Sequence, residues 1–126
     1  MHLIDTSSWV EAMRRDGDPD VRARVTRLMA TGEAAWCDMV RLELWHGVRG
    51  AVERKHLEAL EQDVILLPMT DESWARARQL ARDARASGLT VPGADLVIAG
   101  CAWAHEVPME HDDKHLSALQ ELFGDK

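Results

Sequence analysis

His2-Leu3-Ile4-Asp5-Thr6-Ser7-Ser8-Trp9 begins as a strand and ends as a helix. His2 to Asp5 reads as a short buried strand, and Thr6-Ser7-Ser8 as a cap leading into a helix over Trp9 to Arg15, because short hydroxyl side chains satisfy the free N–H groups of a first helical turn. A strand that runs straight into a helix is half of a β-α-β unit, and the chain repeats the alternation. Gly17-Asp18-Pro19 breaks the first helix, and Asp20 to Ala30 gives a second, ending near Gly32. Ala34 to Cys37 forms a second short strand, and Asp38 is the N-cap of a helix from Met39 to Val48. A charged helical stretch from Val52 to Gln62 follows, then Val64-Ile65-Leu66-Leu67, the clearest strand, stopped by Pro68. Thr70 caps a helix reaching Ala86, with Asp71 and Glu72 in the first turn where the helix dipole favours acids. Pro92 suits the first turn of an apolar helix through Ala104; Val107 to Glu110 is a last strand and Lys114 to Leu122 a last helix. The pattern predicts an α/β three-layer fold with a central, mainly parallel sheet flanked by helices. Its 126 residues suit one domain, 1–126, with no repeat or linker.

Hydrophobic residues at 46% and charged residues at 29% exclude a disordered chain. No apolar run approaches the roughly 20 residues that span a bilayer, and no basic segment followed by an apolar core marks a secretory signal. No membrane partner and a cytoplasmic location are therefore expected. The two cysteines, Cys37 and Cys101, lie in apolar surroundings and read as buried free thiols. The net charge of −7 argues against a polyanionic partner, but 12 of the 15 cationic residues are Arg, the side chain suited to bidentate phosphate contacts. They cluster at Arg14, Arg15, Arg22, Arg24 and Arg27, and again at Arg76, Arg78, Arg82 and Arg85. Solvated helix faces explain each cluster equally well. His111 and His115 are four residues apart, a metal-ligand spacing on a helix, but their charged surroundings favour a solvated surface pair.

Four acids stand out: Asp5, Glu43, Asp95 and Asp113. Asp5 ends a strand, Glu43 lies in Met39-Val40-Arg41-Leu42-Glu43-Leu44-Trp45, and Asp95 opens the apolar run Leu96-Val97-Ile98-Ala99-Gly100-Cys101-Ala102-Trp103. A carboxylate in such a setting is costly without a cationic partner. On a helix that partner would lie three or four residues away. Those positions around Glu43 are Met39, Val40, His46 and Gly47, and around Asp95 they are Val91, Pro92, Ile98 and Ala99, with no Lys or Arg among them. Each acid also has a purely structural explanation. Asp5 can be an N-cap, Asp95 can complement a helix dipole, Glu43 can face solvent, and Asp113 sits in a run of charges. As a set they mean more, because ligands gather at the carboxyl ends of strands in open parallel sheets, where all four can converge. Converging carboxylates repel and share protons at raised, coupled pKa values unless a cation settles among them. All-oxygen donors select hard ions such as Mg²⁺ or Mn²⁺, the usual apparatus of phosphodiester chemistry.

The chain resembles PIN-domain nucleases, and more closely the VapC-type toxins of toxin–antitoxin modules. The resemblance is carried by Leu3-Ile4-Asp5-Thr6-Ser7-Ser8-Trp9, Glu43-Leu44-Trp45-His46-Gly47, Asp95-Leu96-Val97-Ile98-Ala99 and His111-Asp112-Asp113-Lys114-His115-Leu116, four short motifs in order along the whole chain. It implies a Mg²⁺- or Mn²⁺-dependent endoribonuclease, with Asp5 and Asp95 as principal metal ligands, Glu43 and Asp113 completing the cluster, and Ser7 as a polar support. It further implies an RNA substrate, a small antitoxin that wraps the nuclease and blocks its site, and a homodimer. Leu116 stands where the family often has an aromatic residue, and Asp112 competes with Asp113 for the fourth position, of which Asp113 is preferred. Trp9 and Trp45 flank two of the acids and are candidates to line the groove, although core packing is the commoner fate of a tryptophan. The alternative function is a catalytically inactive PIN-like module that only binds protein or RNA. A phosphatase using Asp5 as nucleophile fits poorly, since Ser7 stands where a second Asp is wanted.

Overall fold

The computed structural model describes residues 1–124; the last two positions of the expected 1–126 domain lie outside the described residues. The elements alternate as the sequence predicts: β1 (His2–Ile4), α1 (Thr6–Met13), α2 (Pro19–Ala30), β2 (Ala34–Trp36), α3 (Asp38–His46), α4 (Gly50–Asp63), β3 (Ile65–Leu66), α5 (Asp71–Ala86), α6 (Gly93–Ala104), β4 (Met109–Glu110) and α7 (Lys114–Phe123). The four strands form one parallel sheet in the order β3-β2-β1-β4. Leu3 stands opposite Ala35 on one side and Met109 on the other, so β1 is central. The chain adds β2 and β3 to one side of β1 and then returns across the sheet to place β4 on the other. That reversal creates a switch point between β1 and β4, where the loops leaving the two strands diverge and open a crevice.

Several boundaries differ from expectation, the strands β3 and β4 being shorter than predicted, and two of the shifts bear on the site. Helix α1 starts at Thr6 rather than Trp9, because Asp5 itself is the N-cap and its side chain accepts the Ser7 N–H. Asp38 lies inside α3 rather than capping it, since Cys37 takes the extended N-cap conformation without a side-chain bond. Thr70 caps α5 as predicted, exchanging hydrogen bonds with Ser73.

The main core joins Leu3, Ile4, Trp36 and Cys37 to Trp9, Val25, Val40 and Ile98. Trp9 is 2% exposed and packs at 5.6 Å between ring centroids against Trp36, so it is a core residue and does not line a groove. A second cluster joins Leu80, Ala84, Ala99, Leu116 and Leu119, locking α5, α6 and α7 together, with the partly buried Trp103 against it. Close approach of α5 and α6 depends on Gly100, where a Cβ would stand 2.8 Å from the Ala77 backbone nitrogen. Because α6 is seated by that contact, so is Asp95 in its first turn. Cys37 and Cys101 are free and fully buried, as expected, and the Cys101 thiol donates to the Leu67 carbonyl at 3.8 Å.

Candidate acidic metal centre at the carboxyl edge of the sheet

Each of the four acids is placed by a different element at the β1/β4 crevice. Asp5 is the residue that turns β1 into α1. Its Oδ2 accepts both the Ser7 N–H, at 3.1 Å, and the Ser7 hydroxyl, at 2.6 Å. Its Oδ1 is buried and has no hydrogen-bond partner among the described residues, while the residue as a whole is only 2% exposed. An orphaned carboxylate oxygen in that position is costly unless another group binds it. Glu43, in the last turns of α3, is held by the Thr6 hydroxyl, which donates to Oε1 at 2.6 Å. Asp95 is the third residue of α6, where the helix dipole compensates part of its charge. Asp113 is the N-cap of α7, its Oδ1 accepting the N–H groups of His115 and Leu116 at 2.8 and 3.0 Å. Asp112, its competitor for the fourth position, is exposed, and its N–H donates to the Ser7 hydroxyl at 3.0 Å. Ser7 therefore ties the start of α1 to the loop between β4 and α7 and holds Asp5 at the same time.

The electrostatics identify these acids as a single cluster. Asp95 is pushed up to about 7, first by burial and then by the negative charges of Asp113, Asp5 and Glu43. Burial also raises Asp5, against the hydrogen bonds from Ser7 that pull it down and with the charge of Asp113 adding to the rise. Among the described residues no Lys or Arg forms an ion pair with any of the four acids. Among the described residues the basic side chain that pairs with them is His115, whose Nδ1 lies 3.6 Å from Asp95 Oδ2 and 3.7 Å from Asp113 Oδ1. Expected to be a solvated surface residue, it instead faces the cluster. Sequence spacing pointed to His111 as its neighbour; the true neighbour is Asp95, twenty positions away, which only the return of α7 against α6 brings close. His111 turns elsewhere and bonds Gln120 at 2.7 Å.

The basic residues are divided among different tasks. Arg24 pairs with Glu110 at 2.7 Å, and Arg22 bonds the carbonyls of Ala12 and Arg14. Arg14, Arg15 and Arg49 rim a groove of about 610 Å³ between α1, α3 and α4, whose apolar lining includes Val10, Met13 and Val48. Glu43 lies at the edge of this groove. Trp45, on the same helix, is half-buried and donates its indole N–H to Glu61 at 3.2 Å. No described helix is long and apolar enough to cross a membrane.

Residues 2–122 match the PIN domain family model. The VapC ribonuclease Mb1587 from Mycobacterium bovis is 30% identical over 127 residues, covering 97% of this chain and 93% of that protein. Ribonuclease VapC11 from Mycobacterium tuberculosis matches with the same identity and coverage. In fold, the chain is similar to VapBC-1 from nontypeable Haemophilus influenzae, with a TM-score of 0.75 at 17% identity over 95% of this chain and 92% of that one. FitAcB from Neisseria gonorrhoeae gives 0.72 at 22% identity, over 95% and 94%. With a family match along nearly its whole length and relatives that align end to end, the chain belongs to the PIN-domain family, among the VapC ribonucleases.

Proposed function

We propose that this protein is the toxin of a toxin–antitoxin pair: a cytoplasmic, single-domain endoribonuclease dependent on Mg²⁺ or Mn²⁺ and acting as a homodimer. The observation that carries the reading is the convergence of the buried Asp5 with the partly buried Glu43, Asp95 and Asp113, with no Lys or Arg paired to them among the described residues and an unsatisfied oxygen on Asp5. Such a donor set fits a hard divalent ion, since carboxylate oxygens are its preferred ligands and its charge relieves their repulsion. Asp5 and Asp95 would hold the ion, with Glu43 and Asp113 completing the cluster directly or through water. At such a set a bound Mg²⁺ or Mn²⁺ supplies a water acidified for attack and neutralises charge on the scissile phosphate.

The chain's own residues prepare that chemistry. Ser7 fixes Asp5 with two hydrogen bonds to one oxygen and leaves the other oxygen available. Thr6 fixes Glu43, and the α7 N-terminus fixes Asp113. Held in place before a substrate arrives, these groups need little reorganisation during the reaction. Asp95, near neutrality without a cation, is released to its ionised form when positive charge enters the site. Arg14, Arg15 and Arg49 would take RNA phosphates along the groove that Glu43 also lines. The same groove, lined by apolar side chains and by Arg14, Arg15 and Arg49, suits an apolar and acidic segment of the antitoxin, which would keep RNA from the acids.

The deciding experiment incubates purified protein with total cellular RNA in Mg²⁺, Mn²⁺ or EDTA, with Asp95→Asn as control. Discrete fragments that require metal and vanish in the variant are expected. Cleavage that persists in EDTA, or at the wild-type rate in Asp95→Asn, would overturn the site assignment.

A further inference from the structure

His115 has no role in the set just described, yet its Nδ1 stands between two of the acids, at 3.6 Å from Asp95 and 3.7 Å from Asp113. Those distances are too long for a charge-assisted hydrogen bond, which closes to about 2.7–2.9 Å. They do suit two ligands of one ion, because donors bound at roughly 2.1 Å in an octahedral site lie about 3 Å apart when adjacent and about 4.2 Å apart when opposite. One donor atom from each of Asp95, Asp113 and His115 falls within 4.8 Å of the others. The spacing is locally enforced. Asp113 Oδ1 accepts the backbone N–H of His115 itself, so cap and imidazole are held in register by the first turn of α7. Beside this triad lies the fully buried Asp5 Oδ1 without a partner, a second sign that the crevice expects a cation.

We propose that His115 is a direct nitrogen ligand of the divalent ion, shared with Asp95 and Asp113, and that it makes this site prefer Mn²⁺ over Mg²⁺. The physical reason is donor softness. Mg²⁺ is hard and takes oxygen ligands and water, whereas imidazole contributes more to the binding of first-row transition ions. A carboxylate-only cluster has little means of separating the two ions; one with a histidine has. The inference rests on the metal-dependent reading above and sharpens it to the identity of the ion.

The test uses untagged, full-length protein and Mn²⁺ alone as the probe, so it needs no RNA. Titration followed by electron paramagnetic resonance gives the Mn²⁺ affinity. Spin-echo modulation reports whether nitrogen-14 is bound to the ion, with uniformly nitrogen-15-labelled protein as control. Nitrogen modulation is expected in the wild type and is lost in His115→Gln, with Mn²⁺ affinity falling on the order of 10-fold. Mg²⁺ affinity, read by competition, should change far less, so the Mn²⁺/Mg²⁺ preference collapses in the variant. Binding that requires Asp95 but shows no nitrogen coupling and is unchanged in His115→Gln would overturn the role of His115 and leave the acidic metal site standing. Absence of Mn²⁺ binding, or binding unaffected by Asp95→Asn, would overturn both.

Discussion

Asp95 and Glu110 lie at the same edge of one sheet and are almost equally shielded, with side chains 13% and 10% exposed. They are treated in opposite ways. Glu110, paired in register with Ile4, receives Arg24 at 2.7 Å and the Ser8 hydroxyl at 2.9 Å, so its charge is answered from within the chain. Asp95 faces three other carboxylates and no Lys or Arg among the described residues, and it is driven up to about 7. Burial alone does not distinguish the two acids. The separation lies in whether the fold supplies the counter-charge, and at Glu110 it does.

The largest expected effect breaks the pair by substitution. Asp95→Asn should lower RNA cleavage by about 10²-fold or more, since the site then lacks an anionic ligand where several kcal/mol of charge stabilisation is needed. In the metal-free protein the same change should raise the melting temperature, because it removes one charge from a repelling cluster, and it should abolish stabilisation by added Mg²⁺ or Mn²⁺. Glu110→Gln should do the reverse: a lower melting temperature with the metal-induced shift intact. Equal responses of the two variants to metal would erase the distinction drawn between the sites.

A second, smaller effect comes from pH. Asp95 is raised above its ordinary value of 3.8, so the folded protein holds that proton more tightly than the unfolded chain. Its contribution to stability is complete below about 4 and is lost as pH rises through about 7. Metal-free protein in EDTA should therefore melt at a lower temperature at pH 8 than at pH 5.5. Asp95→Asn should flatten that slope, and saturating Mn²⁺ should reverse it by favouring the ionised form. A wild-type melting temperature that rises over this interval in EDTA, as steeply as in the variant, would contradict the charge crowding.

The smallest effects concern the supports. Arg24→Ala leaves Glu110 without its cation; because Arg24 is half-exposed, the expected loss is only about 1 kcal/mol in denaturant unfolding. Ser7→Ala removes the hydroxyl that donates to Asp5 and accepts from Asp112, with an expected loss of about 1–2 kcal/mol. It should also weaken metal binding, whereas Arg24→Ala should not. If Ser7→Ala leaves metal affinity unchanged, Asp5 is not oriented by Ser7 in the way its geometry indicates.

Local chemistry made much of this molecule legible in its sequence. Alternating apolar strands and capped helices announced the α/β architecture, and the parallel sheet followed because each strand is separated from the next by helix. Asp5, Glu43 and Asp95 were visible because a carboxylate without a neighbouring cation in an apolar run is anomalous in one dimension as well as in three. Other features depend on contacts between residues far apart in the chain. The sequence around Trp9 could not tell a core residue from a groove residue, since its ring on α1 packs against Trp36 from β2. Thr6 looked like a helix cap and turned out to hold Glu43, 37 residues on. His115 looked like half of a surface pair and faces Asp95 only because α7 packs back on α6. Spacing along a helix or strand fixes periodicity, caps and local charge balance. Which charges meet across the crevice is decided by the strand order β3-β2-β1-β4, because it is the reversal of the chain at β1 that gathers acids from four elements into one low-dielectric site.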